Sequence, residues 1–359
     1  MKVLILSCNT GGGHNSCAKY IKEELNANKI PAEIVDFLSI ANEHISTDTE
    51  KLYLKTTKGR GKAFGAVYKI GELYNKTKIK SPVYLASSMS KTKLLELIKK
   101  EEFDLVICTH LFPSLAMTRI KKDYNIPLVN IATDYECIPF WDETKPDVFI
   151  IPSELLTKDF TRKGIEKSIL KPLGIPISSS FTLTEDNIDL PTDRDVILLT
   201  SGSMGFGKIY ELVKLILNEF PEVCLVSVCG NNMKLYQKLR AINNNRLIVK
   251  GFVTNMNSLI EKSTIVVTKP GGLTTTEIAT IRKPIVHMMP IPGVERHNAK
   301  FYSENGMSLC SKNEEEVLAN IKLLLGSRRL RKNLIDNQKK IINRTSAADL
   351  VKFLKENYN

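Results

Sequence analysis

Short, evenly apolar runs alternate with stretches whose apolar residues recur every three or four positions, and this pattern continues along almost the whole chain. VLILS, AEIVDF, LVICTH, PLVNIAT and VFIIP are too short for helices and too uniformly apolar for half-exposed strands, so they read as strands buried on both faces. Helical patterns lie between them, such as NSCAKYIKEELNAN, with a start expected near Ser16, and KTKLLELIKKEE from Lys91. A second strand series begins at Asp195: VILLT, VCLVSVCG, RLIVKGF, TIVVT, PIVHMM and MSLC. KIYELVKLILNEF and KLYQKLRAI are among the helical segments that separate its members, and EEEVLANIKLLLG, RRLRKNLIDNQKKI and AADLVKFLKENY close the chain. This alternation predicts an α/β protein with two doubly wound parallel sheets, whose ligands bind in the cleft between the domains. The polar, aperiodic stretch 178–194 reads as a linker between an N-terminal domain, 1–177, and a C-terminal domain, 195–335. The helices over 336–359 are available to pack back on the first domain.

Composition narrows the class. With 359 residues, 43% hydrophobic and 25% charged, the chain has the make-up of a two-domain globular protein. No apolar run approaches the ~18 residues of a membrane-spanning helix, and the N-terminal run reads as a first strand, not a leader. Seven cysteines form no CxxC pair, and several sit inside apolar runs. Reduced, buried thiols in a cytoplasmic protein account for them better than disulfides.

The net charge of +12 is concentrated: Lys51–Lys100 holds thirteen Lys/Arg against two Glu. Its cations, Lys58, Arg60 and Lys62 among them, are interleaved with Phe64, Tyr68 and other apolar or aromatic residues. A solvated helix face is the plain alternative, but this mixture suits an anionic membrane surface. No motif for nucleic acid accompanies it, so no nucleic-acid partner is expected.

Candidate chemistry begins at the loop Asn9-Thr10-Gly11-Gly12-Gly13-His14 after the first strand. Its glycines let a ligand approach the backbone and the helix end closely. A dinucleotide fingerprint is only imitated: Gly11, Gly13 and Asp36 fit, but Ser16 replaces the third glycine and His14 stands where pyrophosphate should lie. His14 has the right intrinsic pKa for a general base, though a solvated histidine at a helix start is the bland account. Asp134 ends another strand and is a base, a partner orienting His14, or a helix cap. His110 is similarly placed, with less to support it.

The second half offers Ser201-Gly202-Ser203-Met204-Gly205-Phe206-Gly207-Lys208, a small-residue loop suited to phosphate or sugar oxygens. Ile209 after the lysine excludes a P-loop. The strongest signal is TIVVTKPGGLTTTEIATI, where a strand ends at Thr268, Gly271-Gly272 turn, and a helix starts with three threonines. Free N–H groups at such a helix end hold a diphosphate, and Glu277 has two oxygens for a ribose. In IPGVERHNA, Glu295, Arg296, His297 and Asn298 crowd groups able to read sugar hydroxyls. Asp193-Arg194-Asp195 matches the metal-binding D-x-D pattern by accident, since it lies in the linker before a strand.

In this order GGGH, TDY, GSMGFGK, KGFV, KPGGLTTTE and PGVERHNA resemble the GT-B glycosyltransferases. The likeness is to the monogalactosyldiacylglycerol synthases and processive diacylglycerol glucosyltransferases, with the enzyme adding N-acetylglucosamine to lipid I a more distant relative. It extends over nearly the whole chain. It implies two Rossmann-like domains, inverting transfer of a hexose from a UDP-sugar to a diacylglycerol-type lipid, no cofactor and no metal, and attachment to the inner face of the cell membrane. By resemblance, His14 or Asp134 is the base and Gly12 and Gly13 lie on the acceptor side. Gly202, Ser203, Met204 and Gly205 then contact phosphate, and Phe252 and Val253 line the uracil pocket. Pro270, Gly271, Gly272 and Thr274 form the diphosphate cradle, with Glu277 on ribose and Glu295 and Asn298 on the donor sugar. Val294 stands where such enzymes often carry glutamine, and Pro139-Phe140-Trp141 lacks a histidine often found after TDY. A UDP-sugar epimerase of the same fold, or a nonenzymatic protein binding membrane or nucleic acid, are the alternatives.

Overall fold

The computed structural model describes residues 1–9, 12–41, 91–183, 188–200, 202, 209–290 and 292–358. The chain forms two compact units, one of Met1–Ser179, Ile291–Val294 and Asn343–Asn359, the other of Ser180–Pro290 and Glu295–Ile342.

The first unit begins β1 (Val3–Ser7), α1 (Gly12–Ala27), β2 (Ala32–Asp36) and α2 (Phe37–Ala41). It resumes with α3 (Lys91–Lys100), β3 (Leu105–Cys108), α4 (Leu111–Ile120), β4 (Leu128–Ile131), β5 (Val148–Ile150), α5 (Thr157–Arg162) and β6 (Leu170–Lys171). All six strands are parallel, in the order β2-β1-β3-β4-β5-β6. β1, β3, β4 and β5 are buried at every position, the reason their runs carry no polar alternation. α1 starts at Gly12, earlier than its apolar periodicity indicates. Glycine's cost of about 1 kcal/mol applies to helix interiors, whereas first-turn N–H groups have no intrahelical partner to lose. β6 falls in a Pro/Gly-rich stretch whose apolar pattern is too brief to announce a strand.

The second unit runs β7 (Val196–Thr200), α6 (Ile209–Glu219), β8 (Cys224–Val228), α7 (Met233–Arg240), β9 (Leu247–Lys250), α8 (Met256–Lys262) and β10 (Ile265–Thr268). It continues α9 (Gly272–Thr280), β11 (Ile285–His287), α10 (Val294–Glu304), β12 (Leu309–Cys310), α11 (Glu314–Gly326) and α12 (Arg328–Ile341). The parallel order β12-β11-β10-β7-β8-β9 is that of a dinucleotide-binding sheet, reversing between β7 and β10. Ile209, Leu212, Val213 and Ile216 of α6 pack into one core cluster with Ile197, Leu199 and Val267.

α13 (Ser346–Tyr358) belongs to the first unit and packs on α1. Leu350 and Leu354 are fully buried, each contributing about 1.5–3 kcal/mol. Ser346 Oγ donates to the Ile175 carbonyl at 2.8 Å and accepts from the Ile177 N–H at 3.0 Å. Asn343 Nδ2 donates to the Leu173 carbonyl at 2.7 Å. None of the seven cysteines forms a disulfide, and six are buried.

Candidate active site

In the first unit the strand order reverses between β1 and β3, so the carboxyl ends of these strands and of β4 form the crevice where such sheets take ligands. β1 leads to Gly12, Gly13 and His14 in the first turn of α1, β3 to Thr109 and His110, and β4 to Thr133 and Asp134. His14 Nδ1 lies 2.8 Å from the Thr109 carbonyl and 3.0 Å from Thr133 Oγ1. A carbonyl only accepts, so Nδ1 carries the hydrogen and the lone pair is on Nε2. That is the tautomer a base requires, fixed by the backbone. Burial lowers the His14 pKa, while Asp134's charge and the Thr109 carbonyl favour the protonated ring without overcoming it.

His110 has the opposite tautomer. Its Nδ1 accepts the Phe112 N–H at 3.2 Å as the cap of α4, so Nε2 holds the hydrogen in the neutral ring. The ring stands edge-on to His14, centroids 4.6 Å apart. Burial first, then His14's charge, push its pKa well below the ordinary value. Nearby Cys8 and Cys108 are raised well above the ordinary thiol range by burial, so neither is a nucleophile. Beyond Asp134, Trp141 stacks edge-on against Phe149 at 4.9 Å and is core.

In the second unit Gly202 after β7 and Lys269 after β10 come together at the strand-order reversal. Gly202 has φ of +77°, and a Cβ there would lie 3.2 Å from Lys269 Cε. Gly271 caps α9 with φ −75° and ψ 137° and contributes no side-chain bond, in contrast to Asn232, Asn313 and Ser327, which cap α7, α11 and α12 through their side chains. The first-turn N–H groups of α9 therefore have no cap from Gly271 and face the loop. Pro270 and Gly272 are buried, and Thr274 is half-buried. Glu277 is 8% exposed. Asn298 is fully buried, its Nδ2 donating to the Pro270 carbonyl at 3.1 Å, which braces the turn from below. Glu295 Oε1 pairs with Lys269 Nζ at 3.0 Å. Phe252 follows β9 with 64% of its surface exposed, beside half-buried Val253.

Several contributors escaped the sequence reading. Thr109 and Thr133 fix His14, and each stands one residue before a singled-out side chain, in ICTH and ATD. His287 is buried beneath α9, bonded to Thr275 Oγ1 at 3.2 Å and Ser308 Oγ at 3.1 Å. A histidine inside PIVHMM was its only signal. Asp193 is bonded by Arg194 at 3.0 Å, at the amino end of β7, so the D-x-D match lies at the wrong end of the sheet. Ser203, Met204 and Gly205, and Lys58, Arg60, Lys62, Phe64 and Tyr68, lie outside the described residues. Among the described residues no helix is long and apolar enough to cross a membrane.

Residues 14–177 match the monogalactosyldiacylglycerol synthase family, and residues 196–352 the C-terminal domain of glycosyltransferase family 28. A processive diacylglycerol beta-glucosyltransferase of Bacillus cereus is 30% identical over 338 residues, spanning 90% of this chain and 85% of that protein. The chain belongs to this family. It is a glycosyltransferase of GT-B fold. Solved structures bear out the fold: a spinosyn rhamnosyltransferase covers 99% of this chain and 100% of its own at TM-score 0.66 and 13% identity. MurG of Acinetobacter baumannii covers 99% of both chains at 0.62 and 17%. The UDP-GlcNAc 2-epimerase of Neisseria meningitidis, bound to UDP-GlcNAc, covers 99% and 100% at 0.64 and 14%.

Proposed function

We propose that the enzyme moves a hexose from a UDP-sugar to a diacylglycerol-type lipid at an anionic membrane surface, with inversion and by single displacement. The observation that carries this reading is the tautomer of His14, whose Nε2 lone pair is left for a substrate by the Thr109 carbonyl on Nδ1. Nε2 takes the proton of the acceptor hydroxyl as that oxygen attacks the anomeric carbon. The bond from that carbon to the diphosphate breaks, and its electron pair leaves on UDP. Asp134 stabilises the imidazolium formed, since its charge favours the protonated ring. In the donor unit, the amino end of α9 faces the departing charge, and Gly202 lets the β7 loop approach it.

Phe252 offers an exposed ring for the base, Glu277 two oxygens for the ribose and Glu295 an acceptor for the sugar, while Asn298 acts through the turn it holds. The basic segment of Lys58, Arg60 and Lys62, with Phe64 and Tyr68, is the part of the chain suited to anionic lipid, which would place the enzyme on the inner face of the cell membrane. The reaction needs no cofactor beyond the donor, and no nucleic acid.

The test is incubation with radiolabelled UDP-sugars and anionic vesicles containing diacylglycerol. Label is expected in the lipid. Interconversion of sugar nucleotides without lipid labelling, as an epimerase gives, overturns the reading, as does binding without turnover.

A further inference from the structure

Lys269 stands between the end of β10 and the turn from which α9 starts, so its backbone is already part of the donor loop. Its side chain runs across Gly202, with Cε 3.2 Å from where a Cβ would sit. Its ammonium ends 3.0 Å from Glu295 Oε1 in the first turn of α10. One side chain thus links Gly202, the loop after β10 and the start of α10. The lysine is 39% exposed and the glutamate 13%, so the cation stays open to solvent while its partner is sheltered. A half-exposed ion pair of this kind contributes little to stability. It is easily exchanged for a stronger anion.

We propose that Lys269 is a donor-binding residue whose ammonium is held by Glu295 in the free enzyme and passes to the diphosphate when the sugar nucleotide binds. This rests on the donor site proposed above and adds to it a residue and an order of events. A diphosphate brings several negative charges, while a helix amino end supplies the equivalent of only about half a unit of positive charge. An ammonium on a flexible stem, with three donors, makes up part of the difference without the fixed geometry of a guanidinium. Gly202 leaves room for the lysine side chain, since any side chain there would crowd its Cε. The exchange has a second effect. Glu295, relieved of the lysine, turns its oxygen to the hexose hydroxyls, so the sugar is read only after the diphosphate is in place.

Calorimetric titration of the full chain with UDP and with uridine tests this. K269Q is expected to lose about ten-fold or more in UDP affinity, the scale of one charge-assisted bond, while uridine affinity is unchanged. K269R, which keeps the charge, is expected to stay within about three-fold of wild type. E295Q is expected to bind UDP at least as tightly as wild type, because nothing then holds the ammonium back. Wild-type UDP affinity in K269Q overturns the proposal, as does an equal loss of UDP and uridine, which marks a collapsed loop. Weaker UDP binding in E295Q overturns the exchange. A wild-type chain that binds neither ligand removes the donor reading itself, whereas UDP binding indifferent to Lys269 removes only this proposal.

Discussion

Acidification should weaken the second unit through His287. The ring is fully buried, with both nitrogens bonded, to Thr275 Oγ1 and Ser308 Oγ, and Tyr302 stands edge-on at 5.7 Å. Burial lowers its pKa to about 3. In the unfolded chain the ring returns to about 6.5. Between these values the unfolded unit binds a proton that the folded unit refuses, so this contribution is complete above about pH 6.5 and shrinks as pH falls toward 3. At about pH 5 the ring lies some one and a half units below its unfolded pKa. At about 1.4 kcal/mol per unit, that amounts to about 2 kcal/mol. The assay is urea unfolding at about pH 7.5 and pH 5, read by pulsed hydrogen–deuterium labelling of the peptide carrying β11. Fluorescence will not serve, because the only tryptophan, Trp141, is in the first unit. His287→Gln should be less stable at the higher pH through disturbed bonds, by about 1–3 kcal/mol. Its further loss on acidification should be about 2 kcal/mol smaller than that of wild type. An identical pH dependence in the two proteins would refute the reasoning.

Three further outcomes are expected. His14→Ala should lower turnover by about 10²–10⁴-fold with UDP binding intact, and the wild-type acid limb should titrate below 6.5, because burial outweighs Asp134 and activity is lost only as Nε2 protonates. Full activity in the variant, or a limb above 6.5, contradicts the assigned base. Gly202→Ala forces a side chain to φ +77° against Lys269, at a cost of about 1–2 kcal/mol, and UDP affinity should fall about ten-fold in titration. Asn298→Ala leaves the Pro270 carbonyl without its amide donor, and thermal unfolding should report a loss of about 1–3 kcal/mol.

The two parallel sheets were legible because strands buried on both faces write themselves as unbroken apolar runs, and eleven apolar runs were read as strands. AEIVDF was overread as buried on both faces: β2 is buried only at Ala32 and exposes Glu33, and β9 and β12 are likewise only partly buried. β6 was missed because two residues cannot establish a period. The start of α1 was misjudged because glycine propensity describes helix interiors, not first turns. At the site, glycine turns and strand-end polar residues marked Gly202, Gly271, His14 and Asp134, since loops at the carboxyl ends of parallel strands are the places ligands reach. What the sequence could not display was the partner across the sheet. The Thr109 carbonyl that decides the His14 tautomer has no residue type at all, and the bond from Asn298 to Pro270 joins positions 28 residues apart. The Lys269–Glu295 pair spans 26. The first contact exists only once α1 and β3 are in place, and the other two only once β10, α9 and α10 are.

The return of the chain to the first unit at Asn343 sets an order on biogenesis. Residues Ser180–Ile342 hold all six strands of the second sheet, whereas the first unit lacks α13 until Ser346–Tyr358 are made. On the ribosome, at about 5–20 residues per second, the interval between the two parts of the first unit is on the order of ten seconds. During it α1 lacks the helix that later packs on it. The second sheet is therefore complete while the unit carrying His14 still awaits its closing helix, and a chaperone that shields α1 would act in that interval.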